Sequence, residues 1–274
     1  MKQRKSILFI MLCCLLTICF GLISCDTVFE PTKVEEGKKK NPIELTENKW
    51  KNSELIHPDE GGSDEQWFYF VATADTQYVY VKFSTLGSLK ASIYDEDLNM
   101  IGTSVHMAGD SGTVADFSRQ VTKNESYYLK IERDGHYGYS DTGSYWIGFT
   151  DFPARPEKTI SEINIDTWIN STIDPNSGGD SYDWYTFTAT SSTQYVYVKF
   201  STLESLKASI YDKDLNMIGT SVHMAGDSGT VANFSRQVNE DELYYIKIER
   251  EGRYGYSDTG SYWITFNDSG IAPN

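Results

Sequence analysis

One stretch of this chain occurs twice. Residues Thr76–Val121, TQYVYVKFSTLGSLKASIYDEDLNMIGTSVHMAGDSGTVADFSRQV, recur as Thr193–Val238 with three changes: Gly87 becomes Glu204, Glu96 becomes Lys213 and Asp116 becomes Asn233. The offset of 117 residues holds to the end of each copy, where Tyr137–Phe149 (YGYSDTGSYWIGF) recurs as Tyr254–Phe266 (YGYSDTGSYWITF). Such a period is too long for a solenoid unit and about the size of one small domain. The chain therefore reads as a tandem array: repeat 1 over 43–152, a linker over 153–159, repeat 2 over 160–268 and a short tail over 269–274.

Within each copy the apolar residues alternate with polar ones. Val79, Val81 and Phe83 fall on one side of a strand, with Tyr78, Tyr80 and Lys82 on the other. Leu89, Ala91 and Ile93 oppose Lys90, Ser92 and Tyr94; Tyr127, Leu129 and Ile131 oppose Tyr128, Lys130 and Glu132; Tyr145, Ile147 and Phe149 oppose Trp146 and Gly148. Upstream, Trp67–Val71 matches Trp184–Ala189, with Phe68/Phe70 and Tyr185/Phe187 as the inward pairs. Period two is the signature of half-buried strands. Turn clusters such as Glu60-Gly61-Gly62-Ser63 and Ala108-Gly109-Asp110-Ser111-Gly112 punctuate them, and no long stretch has helical periodicity. The expectation is an all-β chain of two antiparallel sandwiches.

Ahead of the repeats stands a leader. Met1–Lys5 is basic, Ser6–Phe20 is apolar, and Leu22-Ile23-Ser24-Cys25 follows. A basic flank, a short apolar run and small residues before a cut form a secretory signal, here 1–24. The last four residues resemble the bacterial lipobox, which implies acylation of Cys25 and attachment to a membrane through acyl chains, palmitate among them. The competing reading is a transmembrane anchor, for which Ile7–Ile23 is marginal in length. Residues 25–42, polar and charged, read as a flexible tether. All 4 cysteines (Cys13, Cys14, Cys19 and Cys25) lie in this region, so the repeats carry no disulfide and no cysteine metal site. The net charge is −15, which argues against nucleic acid as a partner. The expected location is a bacterial cell envelope, with the repeats in the periplasm or on the surface.

The repeat motifs resemble a known family. Asp183-Trp184-Tyr185-Thr186-Phe187, Ala208–Asp212, Leu243–Ile248 and Gly260–Ile264 are similar to the strand motifs of the bacterial pre-peptidase C-terminal domain; the first copy matches with Gln66 in place of the aspartate. The resemblance covers nearly all of both repeats. It implies a jelly-roll-like β-sandwich that serves as an accessory domain on secreted enzymes, and related collagen-binding domains bind calcium. No peptidase domain accompanies the motifs here.

Candidate sites fall into three groups. Gly109-Asp110-Ser111-Gly112 is similar to a serine-protease nucleophile loop, but the match stops at Thr113 and the turn reading prevails. His106, His223, His57 and His136 make no metal-binding pattern and read as surface residues. Asp95-x-Asp97-x-Asn99 and Asp212-x-Asp214-x-Asn216 open like a calcium loop but lack its later glycine and glutamate. A hairpin turn explains them as well, so no cofactor is expected and calcium is the one ion they could take. The aromatics on the polar side of the strands form the third group. Trp67, Tyr78, Tyr80 and Trp146, with Trp184, Tyr195, Tyr197 and Trp263, are expected to face outward, joined by loop residues Tyr139 and Tyr256. Exposed flat rings stack on sugars or anchor a protein partner; the rival explanation is cross-strand pairing or packing of one repeat on the other. The reading is a non-catalytic envelope protein that binds glycan or protein, with a purely structural envelope lipoprotein and a hydrolase accessory subunit as its rivals.

Overall fold

The computed structural model describes residues 37–135, 138–175, 180–251 and 255–274. The leader, Cys25 and most of the tether lie outside them, as do His136, Tyr137 and Tyr254. No helix among the described residues is long and apolar enough to cross a membrane.

The chain is all-β. Repeat 1 contains β1 (Ile43–Glu44), β2 (Lys51–Leu55), β3 (Glu65–Val71), β4 (Thr76–Phe83), β5 (Ser88–Tyr94), β6 (Met100–Ala108), β7 (Val114–Gln120), β8 (Ser126–Arg133) and β9 (Gly143–Thr150). Repeat 2 contains β10 (Ser161–Glu162), β11 (Ile169–Ile173), β12 (Tyr182–Thr188), β13 (Thr193–Phe200), β14 (Ser205–Tyr211), β15 (Val222–Ala225), β16 (Val231–Gln237), β17 (Leu243–Arg250) and β18 (Gly260–Asn267).

Each repeat forms two facing sheets. In repeat 1 their orders are β1-β3-β8-β5-β6 and β2-β9-β4-β7, and repeat 2 reproduces both as β10-β12-β17-β14-β15 and β11-β18-β13-β16. From β2 onward successive strands alternate between the sheets except at the β5–β6 and β14–β15 hairpins, each of which stays in one sheet; this is the eight-strand order of a jelly roll. The short β1 and β10 add to an edge in parallel, on β3 and β12; every other pairing is antiparallel.

Alternation correctly picks the inner faces. Phe68, Phe70, Val79, Val81, Phe83, Leu89, Ala91, Ile93, Leu129, Ile131, Tyr145, Ile147 and Phe149 are buried in one core, and repeat 2 buries their counterparts in another. Burying one such side chain stabilises the fold by about 1.5–3 kcal/mol before chain entropy is counted. The rings also interlock: Phe70 meets Tyr127 and Phe149 at centroid distances of 5.8 and 4.9 Å, and Phe187 meets Tyr244 and Phe266 at 5.7 and 4.8 Å.

The cores differ in one polar network. In repeat 1 the Gln66 side-chain oxygen accepts hydrogen bonds from Ser53 Oγ and Tyr145 Oη, each at 2.6 Å. In repeat 2 Asp183 takes the place of Gln66 and accepts from Ser171 Oγ and Tyr262 Oη, each at 2.8 Å. A buried carboxylate needs a counterion where an amide does not. Lys158 supplies it, 2.7 Å from Asp183 Oδ1 and 2.8 Å from Asp180 Oδ2.

Lys158 belongs to the segment between the repeats, which touches both of them. Arg155 pairs with Asp180, and its N–H donates to Tyr182 Oη at 3.1 Å. Phe152 packs against Trp184 and Tyr245 with both centroid distances 4.8 Å. On the other side, Pro156 lies on Gly148, where an added Cβ would come within 2.7 Å of the proline ring and 2.5 Å of the Lys49 carbonyl oxygen. Repeat 2 has Thr265 at the position of Gly148. There the C-terminal tail covers the sheet: the Asn267 amide donates to Ile271 O at 2.6 Å, Trp168 Nε1 donates to Pro273 O at 3.3 Å, and Gly270 lies against the Tyr195 ring.

Candidate functional site

The outward aromatics divide into two sets. Trp67, Tyr80, Trp184 and Tyr197 were expected at the surface and are buried, at 6%, 2%, 2% and 1% exposure. Alternation does place them on the outer sheet faces, but other parts of the chain cover those faces. Trp67 packs on Tyr94 at 5.4 Å under the Lys39 and Lys130 ammonium groups. Trp184 packs on Tyr211 at 5.2 Å and under Phe152, and its Nε1 donates to Pro153 O at 3.1 Å. Tyr80 is enclosed beside Tyr182, and Tyr197 is buried on the sheet face whose neighbours Tyr195 and Asn267 meet the tail. Burial drives the Tyr80 hydroxyl well above the ordinary phenol range and Tyr182 up to about 12. Tyr78 and Tyr195 are half-buried.

Trp146 and Trp263 remain open, each 40% exposed. They occupy the same place in the two copies, in the same cross-strand row. Trp146 on β9 stands opposite Asn52 on β2 and Lys82 on β4, and Lys82 stands opposite the exposed Val114 on β7. Trp263 on β18 stands opposite Asn170 on β11 and Lys199 on β13, and Lys199 stands opposite the exposed Val231 on β16. Asn52 Nδ2 lies 3.5 Å from Tyr145 O, and Asn170 Nδ2 donates to Tyr262 O at 3.1 Å, so each amide is steadied against the strand that carries the tryptophan. The result, built twice, is a flat indole flanked by an amide and an ammonium group. Tyr139 and Tyr256, 43% and 40% exposed, sit in the loops that lead into β9 and β18.

The acidic turns are capped from within. Both Asp95 carboxylate oxygens accept from Asn99, through its N–H at 2.8 Å and its side-chain amide at 3.0 Å. Those bonds, the side-chain one foremost, hold the Asp95 carboxyl below its usual value. Asp212 likewise accepts from Asp214 N, Asn216 N and Asn216 Nδ2. The aspartate-to-asparagine spacing thus serves a turn in which Leu98 and Leu215 take a positive φ of 65°. Among the described residues no group of three His, Cys, Asp or Glu side chains is arranged to hold a metal.

Gly109–Gly112 is a turn between β6 and β7, closed by Thr113 N donating to Asp110 O at 2.9 Å, with Gly112 at φ 91°. His106 pairs instead with the buried Asp134, Nδ1 to Oδ2 at 2.8 Å, and His223 pairs with the buried Glu251. These pairs tie β6 and β15 to the starts of the tyrosine loops.

The sequence reading missed a crevice between the repeats, of about 340 Å³. Tyr80, Val114 and Asp116 line it from repeat 1, Arg155 from the linker, and Asp180 and Tyr182 from repeat 2. The one sequence signal was Asp116 itself, a rare difference between the copies. Asp116 is exposed and opens onto the crevice, and partial desolvation by its walls holds its carboxyl above the usual value against the pull of Lys247.

No family profile matches the chain, and no curated protein does. Solved structures similar to it include the pre-peptidase C-terminal domain of a collagenase from Bacillus anthracis, at 20% identity and a TM-score of 0.31, covering 42% of this chain and 99% of that one. A secreted protein from Eubacterium rectale follows at 12% identity and 0.30, covering 84% and 80%. The CUB1-EGF-CUB2 segment of human MASP-1/3 is similar at 11% identity and 0.23, covering 80% and 99%.

Proposed function

We propose that this chain is a non-catalytic, glycan-binding module whose two stacking platforms are Trp146 and Trp263. One observation carries the reading: the open tryptophans are the same residue of each copy, each with an asparagine and a lysine beside it in its row. An indole face offers a sugar ring dispersion and C–H contacts, and the neighbouring amide and ammonium offer hydrogen bonds to hydroxyls. A protein partner fits less well. A stable protein interface buries about 800 Å² per side around a cluster of anchors, whereas each platform has one tryptophan with one valine near it. Two platforms on one chain add avidity wherever a polymer reaches both.

The leader supports anchoring through acyl chains on Cys25, which would hold the repeats at a bacterial envelope with 25–42 as the tether. Metabolic labelling with palmitate tests this; a label kept in Cys25→Ser would refute it. For the binding function, the full-length chain is screened on a glycan array with and without calcium. Binding lost in the Trp146→Ala/Trp263→Ala double variant supports the platforms. Binding kept in that variant refutes the platforms, and no binding at all refutes them and favours a structural envelope protein.

A further inference from the structure

The outer face of the β2-β9-β4-β7 sheet does not end at Trp146. One strand over and two residues along stands Tyr80, in the next row with Gly148 and Asp116. Sheet geometry puts these rows about 7 Å apart and neighbouring strands about 5 Å apart, so Trp146 and Tyr80 are separated by about 8 Å across the face. Val114 joins the two features, since it closes the Trp146 row and lines the crevice. A short oligosaccharide lying on Trp146 can therefore run into the space between the repeats.

We propose that the crevice is a second, hydroxyl-recognising subsite that extends the Trp146 platform, so that repeat 1 binds an oligosaccharide where repeat 2 binds a single ring. This rests on the stacking reading above. The crevice has the chemistry for it. The Asp116 carboxylate makes no hydrogen bond or ion pair with a described residue and can accept from two adjacent hydroxyls. The Tyr80 and Tyr182 phenols adjoin it, and Arg155 is held in place by Asp180. Enclosed sites at domain junctions with a few convergent polar groups are where small ligands bind.

Two differences between the copies fall on this path. Asp116 is one of three changes between Thr76–Val121 and Thr193–Val238, and its twin is Asn233. Gly148 seats the linker that forms one wall of the crevice, and its twin is Thr265. Over repeat 2 the tail reaches the matching face at Tyr195 and Asn267, and Tyr197 and Thr265 on that face are buried at 1% and 0% exposure. Repeat 2 therefore keeps its tryptophan, while the described residues on the matching face are buried.

The test is calorimetric titration of the full-length chain, in a Trp263→Ala background, with cello-, malto- and chito-oligosaccharides from mono- to hexasaccharide. The expected result is affinity that rises from mono- to trisaccharide, with Asp116→Ala and Tyr182→Phe each weakening the trisaccharide by about tenfold and leaving the monosaccharide unchanged; a lost hydrogen bond to a charged group is worth about that much. Circular dichroism melts establish that both variants fold. If Trp146→Ala abolishes binding while Asp116→Ala and Tyr182→Phe bind the trisaccharide like the parent, the crevice subsite is refuted and the platform stands. If no saccharide binds, or Trp146→Ala still binds, both are refuted.

Discussion

Lys158 Nζ lies 2.7 Å from Asp183 Oδ1, so a residue between the repeats neutralises a carboxylate inside the core of repeat 2. Repeat 1 solves the same packing problem with Gln66 and needs no counterion. Truncating Lys158 leaves Asp183 buried and unpaired, and Lys158→Met is expected to destabilise repeat 2 by about 3 kcal/mol. Adding Asp183→Gln, which copies repeat 1, should restore most of the loss. Chemical denaturation of the two variants checks this; equal destabilisation in both would refute the counterion role.

The same cluster sets a pH window. Burial pushes the Asp180 carboxyl up, but hydrogen bonds and charge from Arg155 and Lys158 outweigh it and hold the carboxyl below its usual value. Its contribution is therefore present above about pH 4 and lost as pH falls through the lowered value. Burial pulls the Lys158 ammonium down, but Asp180 and Asp183 outweigh it and raise it. That contribution is present below about pH 10 and lost as pH rises further. Melting temperature against pH should form a plateau between these limits, and Lys158→Met should flatten the alkaline edge.

Asp116 has the opposite sign. Desolvation raises its carboxyl, so the fold favours the neutral form and is strained once the group ionises. Asp116→Asn, the residue at its twin Asn233, should raise stability at pH 7 by no more than about 0.5 kcal/mol after solvent screening, and leave it unchanged near pH 3. A rise of equal size at both pH values would mean that charge is not the cause.

Gly148 should tolerate no side chain. Gly148→Thr, again the residue of the twin position, drives its Cβ into Pro156 and the Lys49 carbonyl. A loss of about 1–3 kcal/mol is expected, together with faster proteolysis between 153 and 159 as the linker lifts. Unchanged proteolysis would show that the linker does not depend on this contact.

The tryptophans should separate by substitution. Trp67→Ala and Trp184→Ala remove buried rings and should cost about 3–5 kcal/mol each. Trp146→Ala and Trp263→Ala should cost far less, and each should lower the acrylamide-quenchable part of the tryptophan fluorescence, to which the half-buried Trp50 and Trp168 contribute the remainder.

Most of the architecture was legible from the chain. Near-identity between the copies requires that they fold alike, and period-two alternation sorts Val79 from Tyr78 and Ile147 from Trp146, because neighbouring side chains in a strand point to opposite faces. What alternation cannot tell is whether an outer face meets water. Trp146 and Tyr80 carry the same signal, yet one is open and the other enclosed. The covers come from distant parts of the chain: Phe152 at the end of repeat 1, Arg155 of the linker, Lys39 ahead of β1, and the tail at Gly270 and Ile271. The candidate site was therefore only half legible: Trp146 and Trp263 were in view, while Asn52, Lys82 and the crevice were not, since cross-strand register and the meeting of the repeats are contacts between residues far apart in sequence. The sequence by itself determined the repeat, the strands and the two faces of each sheet, all of them local properties of the chain. Only the tertiary structure decided which outer faces stay exposed, because that depends on what folds back over them.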